Sequence, residues 1–197
     1  MLVKDIRDPS VAAFNVLSIR FSGRVWTTVS YEIHYRDDKE KSQSTSVWEE
    51  PHQDFMDSLI EMQLLAQSMI ELPMVNSDGE ACMMNIKNIN FLKSDKYGRG
   101  VKFKLAVEGL SSSHDPVIIN TPSFYERAPH FKENIVDEES YPLQELDEQQ
   151  IFSLQKMAME AVKLVYYNKR KQPTIEEAAE AAENGGYADE LVEKEAE

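Results

Sequence analysis

Apolar and polar residues alternate over much of the first fifty positions, which is the pattern of strands that bury one face. "VLSIRF" sets Leu17, Ile19 and Phe21 against Ser18 and Arg20. "VWTTVSYEIHYR" continues the alternation after an "SG" turn, and "SQSTSVWEE" adds a more polar strand beyond the charged "DDKEK" loop. This first block predicts an antiparallel meander of three strands.

The second of these strands divides its side chains between two faces with period two. One face carries Val25, Val29, Tyr31, Ile33 and Tyr35, and the other carries Trp26, Ser30, Glu32, His34 and Arg36. The first set is mostly apolar, so it predicts the side of the sheet that faces the core.

Two segments repeat their apolar residues at spacings of three and four, the period of a helix that buries one stripe. The first runs over 51–71, opens with Pro51 at the predicted first helical position and stops at Pro73. The second runs over 146–169. The two stripes predict a core that contains Phe55, Leu59, Met69, Leu154 and Val165.

A second run of strands lies between the two predicted helices. "ACMMNIKNINFLK" predicts a strand with a break near Asn88, "VKFKLAVEG" a cleanly alternating strand, and "DPVIINTP" a short strand ended by Pro122. Segment 123–142 is polar and interrupted by proline, which predicts a long surface loop.

The order of strands, helix, strands and helix predicts an α+β fold with two antiparallel β blocks of about three strands, each followed by a helix. Residues 1–172 are expected to form one domain, because 197 residues with 42% apolar content support one core of ordinary size. Residues 173–197 are expected to form an acidic tail, either flexible or a short exposed helix over "TIEEAAEAAEN".

The net charge of −14 is concentrated at the end of the sequence. Nine acids and one base lie in 173–197, so this segment carries −8 and the preceding residues carry −6. Such a tail repels nucleic-acid phosphates and attracts basic protein surfaces. The acids predicted to contact a basic protein partner are Glu176, Glu177, Glu180, Glu183, Asp189 and Glu190.

The compartment follows from the absence of membrane and export signals. No apolar run approaches the roughly 18 residues of a membrane span, and "MLVKDIRDPS" lacks the apolar region of a secretory signal. The single cysteine, Cys82, cannot form an internal disulfide or a zinc cluster. These features predict a cytoplasmic protein without membrane contact.

The sequence contains no catalytic motif. It lacks the glycine loops that bind phosphate, the zinc-protease helix motif and the nucleophile elbow. Its four histidines are scattered, and the acids of "RDDKEK" are typical of a solvated hairpin tip. We therefore predict a non-enzymatic protein without a cofactor or a bound metal.

Aromatic and basic residues on the predicted outer faces are typical of proteins that bind single-stranded nucleic acid. The predicted nucleic-acid-binding residues are Trp26, Arg36, Trp48, Lys93, Lys96, Arg99, Lys102 and Lys104. The alternative is that the second helix covers the first sheet. In that case the rings are core residues and the lysines are ordinary solvated charges.

Several short segments resemble a family of uncharacterised tailed-phage proteins. They are "EEPHQDFMDSLIEMQ" with a leucine-proline stop, "VIINTP" and the helix end "YYNKRKQ", within residues 15–172. Members of that family are associated with recombination and replication gene neighbourhoods. The resemblance implies phage DNA metabolism as the context, in the host cell cytoplasm if a phage encodes the protein, and it provides no catalytic residues to transfer. Members of that family often follow the basic stretch with a short hydrophobic ending similar to sliding-clamp-binding peptides. Here Gln172 is followed by Pro173 and the acidic segment instead.

Three functions are compatible with these features. The first is a non-catalytic binding protein of phage DNA metabolism that binds single-stranded DNA and has a regulatory acidic tail. The second is an acidic phage inhibitor that binds a host defence protein by imitating the charge of nucleic acid. The third is a structural interaction or assembly module.

Overall fold

The computed structural model describes residues 1–4, 8–22, 26–70, 82–109, 115–127 and 145–169. This part of the chain is α+β, with one eight-stranded sheet and two helices. The strands are β1 (Leu2–Val3), β2 (Val11–Arg20), β3 (Thr27–Tyr35), β4 (Glu40–Val47), β5 (Met83–Ser94), β6 (Gly98–Glu108), β7 (Val117–Asn120) and β8 (Phe124–Tyr125). The helices are α1 (Gln53–Met69) and α2 (Glu148–Val165).

The strands on either side of α1 belong to one continuous sheet. Its order is β4-β3-β2-β5-β6-β7, with β1 beside β2 and β8 beside β6, and every pairing between these strands is antiparallel. The strands before α1 are joined to those after it by the pairing of β2 with β5, in which Ile19 lies opposite Ile89. The halves of the chain therefore share one sheet surface.

Both helices pack on the same face of this sheet and against each other. The inward side chains of the central strands, such as Val29 and Phe103, form one hydrophobic cluster with Phe55 of α1 and Leu154 of α2. Within the described residues no helix lies on the opposite face, whose side chains alternate with the buried ones. The sheet thus has one core face and one open face.

The helices are shorter than their apolar periods predict. Pro51 is not the first helical position: His52 has extended backbone angles (φ −64, ψ 158) and caps the helix that starts at Gln53. At its other end α1 gives way to extended backbone at Ile70. In α2, Asp147 and Gln150 form a reciprocal capping box that fixes the start of the helix.

Most of the predicted core residues are buried. Phe55, Met69 and Leu154 lie in the core, whereas Leu59 and Val165 are only half-buried and pack against its margin. The prediction that these two are full core residues is wrong. The sheet contacts a narrower stripe of each helix than the apolar period indicates, so the residues that flank the stripe keep contact with solvent.

Irregular backbone corrects one prediction about the strands and confirms another. Leu17 does not share the buried face with Ile19; it is exposed, and Val16 is buried instead, because a bulge between Val16 and Ser18 shifts the alternation. The predicted break near Asn88 is present as a register shift between Ile86 and Asn88.

The first part of the predicted loop over 123–142 contains a short strand. Phe124 is buried and pairs with Val101, so Phe124–Tyr125 is an edge strand. The rest of that loop prediction, from 128 onward, lies outside the described residues, as does the whole predicted tail at 173–197. Neither α1 nor α2 is long and apolar enough to cross a membrane.

Candidate nucleic-acid interface

A continuous row of polar residues crosses the open face of the sheet from one edge to the other. Each member is the direct Cα partner of the next, so all point to the same face. We call this the first row, and in the order β4 to β7 it consists of Ser46, Thr28, Arg20, Asn88, Lys104 and Asn120.

A second row runs beside the first, two residues away along each strand. It is likewise continuous in register from β4 to β6. The second row consists of Ser44, Ser30, Ser18, Asn90 and Lys102. The two rows together form a band of hydroxyl, amide and cationic side chains.

The band is cationic although the chain as a whole is strongly acidic. Its members include Arg20, Lys102 and Lys104 but no acid. None of these three cations pairs with an acidic side chain in the described residues. The paired acids of the open face lie outside the two rows, at Glu32 beyond the second row and at Glu108 beyond the first.

The neutral members of the band hold one another in position. The hydroxyl oxygens of Thr28 and Ser46 are 3.0 Å apart. The amide nitrogen of Asn88 donates to Oδ1 of Asn90 at 3.0 Å, which links the two rows. In the described part of the chain, the buried Oδ1 of Asn88 has no hydrogen-bond partner. The centre of the band therefore retains an unused acceptor.

The two tryptophans lie at one corner of the open face. Trp26 is 41% exposed and Trp48 is 72% exposed. The β3–β4 register pairs Thr27 with Val47, so Trp26 and Trp48, which flank this pair, both lie at the end of the hairpin nearest the first row. The alternative that the second helix covers these rings is wrong, because α2 packs on the other face.

Arg36 does not join the tryptophans. It follows the last residue of β3 and sits at the hairpin end beside Asp37, whereas Trp26 precedes the first residue of that strand. A nine-residue strand is about 30 Å long, so the two lie at opposite ends of the sheet. The predicted binding residues Trp26 and Arg36 are therefore too far apart to belong to one group.

The predicted basic cluster is divided by the sheet. Lys102 and Lys104 point to the open face, whereas Lys93 and Arg99 are partners on the helix side. Arg99 faces α2 and donates to both carboxylate oxygens of Glu126, at 2.6 and 3.0 Å. Lys96 lies in the β5–β6 turn, 4.9 Å from the centre of the Tyr97 ring. Only the first two lysines contribute to the band.

Several residues of the band were not predicted as binding residues. They are Arg20, Ser18, Thr28, Ser30, Ser44, Ser46, Asn88, Asn90 and Asn120. The alternation in "VLSIRF" already sets Ser18 and Arg20 outward. The alternation does not show which strand lies beside β2. The row from Arg20 to Lys104 depends on the pairing of β2 with β5.

Comparison with protein-family models, with curated proteins and with solved structures finds no match for this chain.

Proposed function

We propose that this protein binds single-stranded nucleic acid on the open face of its sheet, without catalysis, and that it serves phage DNA metabolism. The observation that carries the proposal is the acid-free band with its corner of exposed tryptophans. The phage context comes from the sequence resemblance alone.

The dimensions of the band suit a short stretch of nucleic acid. Six strands separated by about 4.8 Å span about 24 Å. At about 3.4 Å per stacked nucleotide, this length corresponds to roughly seven nucleotides, and to fewer in a more extended strand. Arg20, Lys102 and Lys104 then face the phosphates, while hydroxyl and amide groups contact sugars and bases.

The shape of the surface favours a single strand over a duplex. Reading a major groove takes a helix or a two-stranded ribbon that enters it, and the open face presents a broad sheet with no described helix. Trp26 and Trp48 offer exposed ring faces, which stack on bases only where the bases are unpaired. Stacking at this corner is worth about 1–3 kcal/mol per base.

The acidic tail is proposed as a regulator of this face. Its charge of −8 follows Lys169, the last described residue before the end of the chain. The ammonium of Lys169 lies 2.6 Å from Asp54, in the first turn of α1, six residues after Trp48. The tail is thus attached on the helix side of the sheet, and we propose that it reaches round to the open face, where it competes with phosphate or recruits basic protein partners.

The test is a titration of fluorescently labelled oligothymidylate, followed by anisotropy over a range of salt concentrations. Three phosphate contacts predict a slope of about −2 in a plot of log K against log salt. The double variant R20A/K104A is expected to flatten this slope by about 1.4. The variant K39A/K41A removes the same charge from the β3–β4 end of the sheet and is expected to leave the slope unchanged.

The competing functions predict different results. If neither the full chain nor a truncation after Gln172 binds oligothymidylate at low salt, the nucleic-acid proposal is wrong. Tight binding of the full chain to a basic host nuclease then supports the inhibitor, and the absence of both activities supports the assembly module.

A further inference from the structure

A buried polar cluster joins the start of α1 to the end of α2, on the opposite side of the sheet from the band. His52, the capping residue of α1, and Glu160 of α2 are each 4% exposed. Nε2 of His52 lies 2.8 Å from Oε2 of Glu160. Asp54 completes the group, and the ligating atoms of the three residues lie within 4.8 Å of one another.

The contacts of the His52 ring determine which of its nitrogens carries a hydrogen. Nδ1 lies 3.1 Å from the carbonyl oxygen of Lys169, which can only accept, so Nδ1 donates. In the neutral ring Nε2 then carries a lone pair, and it faces a carboxylate oxygen that also accepts. Nε2 and this carboxylate oxygen, 2.8 Å apart, are therefore joined either by a proton on Nε2 or by a metal ion that binds both atoms.

The lysines leave one oxygen of each carboxylate available. Lys163 holds Oε1 of Glu160 at 2.7 Å, and Lys169 holds Oδ2 of Asp54 at 2.6 Å. The remaining oxygens are Oε2 of Glu160, which faces the ring of His52, and Oδ1 of Asp54. A histidine that donates its second ring nitrogen to a backbone carbonyl is also the usual arrangement of a metal-ligating histidine.

We propose that His52, Asp54 and Glu160 bind a first-row divalent transition ion such as Zn²⁺. One imidazole and two carboxylates suit such an ion, whereas Mg²⁺ and Ca²⁺ take oxygen ligands. Ligand atoms about 2.1 Å from a tetrahedral ion are about 3.4 Å apart, so the cluster must contract by about 1.4 Å at its widest, while His52 and Glu160 move apart by about 0.6 Å. Asp54 is exposed at the helix start, and its side chain can turn towards the ion once it releases the ammonium of Lys169.

The ion links the start of α1 to the C-terminal half of α2. It competes with the ammonium groups of Lys163 and Lys169, which supply positive charge to the same carboxylates. Removing one of these ammonium groups is therefore expected to strengthen metal binding. A cluster that is only a salt-bridge network predicts no metal binding in any variant.

The experiment titrates the full chain with Co²⁺ alone, followed by its visible absorption, and with Zn²⁺ by calorimetry. One equivalent is expected to bind the wild type. D54N and H52Q are expected to weaken binding by tenfold or more, and K169M to strengthen it. D57N, which changes an exposed acid one turn further along α1, serves as the matched control and is expected to bind like the wild type.

A second readout separates loss of the site from loss of the fold. Zn²⁺ is expected to raise the melting temperature of the wild type in a way that EDTA reverses, and to leave that of D54N unchanged. Asp54 is exposed, so D54N retains the fold even if H52Q does not. Absence of Co²⁺ absorption in both the wild type and K169M overturns the proposal, as does equal affinity in D54N and D57N.

Discussion

Glu126 pairs with Arg99 and so removes this cation from the predicted basic cluster. Its carboxylate accepts from the guanidinium of Arg99 and also from the Arg99 backbone N–H, at 3.3 Å. The hydrogen bonds from Arg99 lower the pKa of Glu126 to about 2, from an ordinary value of 4.5. An arginine held in this way is a structural residue rather than a phosphate contact.

The pair makes a prediction about acid stability. A carboxyl group whose pKa is lowered by folding stabilises the protein above pH 4.5, and this stabilisation is lost as the pH falls from 4.5 towards 2. Glu126→Gln is expected to lower the free energy of unfolding at pH 7 by about 1 kcal/mol, since both side chains are about one third exposed. Urea denaturation at pH 7 and pH 2 measures the difference, which should shrink at the lower pH.

A control for this prediction is K96Q, which removes a charge from the adjacent turn and leaves the pair intact. An equal loss of stability for E126Q at both pH values would mean that Glu126 acts through packing rather than through its charge.

At the scale of single residues, the sequence correctly predicts the face of the sheet on which a side chain lies wherever the strand is regular. Val29, Tyr31 and Ile33 are buried as period two requires, and Ser30 faces outward. It fails at Leu17, because a bulge inserts one extra residue and reverses every face beyond it. A bulge has no reliable signature in the polarity of the chain.

At the scale of elements, the number and type of strands and helices are largely predictable, but their neighbours are not. Alternation predicted that Lys102 and Lys104 share a face, since this needs only one strand. The band needs β2 beside β5, a pairing between residues as distant in sequence as Ser18 and Asn90. A local pattern predicts the face of the sheet on which a residue lies, but it does not predict which strand lies alongside. The candidate site was therefore only partly predictable.

The leucines on the apolar stripes of the two helices differ in how fully they are buried. Replacing one leucine in each helix by alanine measures this difference. Leu154→Ala of α2 is expected to lower the free energy of unfolding by about 2–5 kcal/mol, because Leu154 is fully buried. Leu59→Ala of α1 is expected to cost about 1–2 kcal/mol, because half-burial removes fewer contacts. Chemical denaturation of both variants gives the comparison.

Phe152→Ala is the matched control on α2, since Phe152 is 65% exposed and its loss is expected to be close to neutral. A cost for Leu59→Ala as large as that for Leu154→Ala would contradict the observed position of α1 on the sheet.

At the scale of the whole molecule, charge is separated by region. The sequence carries −14, with −8 of it in 173–197, and the band on the open face carries three cations and no acid. A tethered anion near such a surface competes with phosphate by electrostatics alone. Salt screens this competition over a Debye length of about 8 Å at physiological ionic strength.

Truncation after Gln172 is therefore expected to strengthen binding of oligothymidylate, most strongly at low salt. The difference between the two forms should shrink as salt rises, which anisotropy titrations at several salt concentrations will show. A full-length variant with the nine tail acids replaced by glutamine separates charge from length and is expected to bind like the truncation. Equal binding by all three forms would leave the tail as a partner-docking segment only.

The outermost strand, β4, has a consequence for self-association. In the described residues its outer edge pairs with no other strand, so it presents unpaired backbone donors and acceptors. Such an edge recruits further strands and seeds fibrils when its side chains are apolar and flat. Here the sequence is "EKSQSTSV", with serine at every second position and a charged pair at its start. Sheet growth by addition of further copies is therefore disfavoured at this edge.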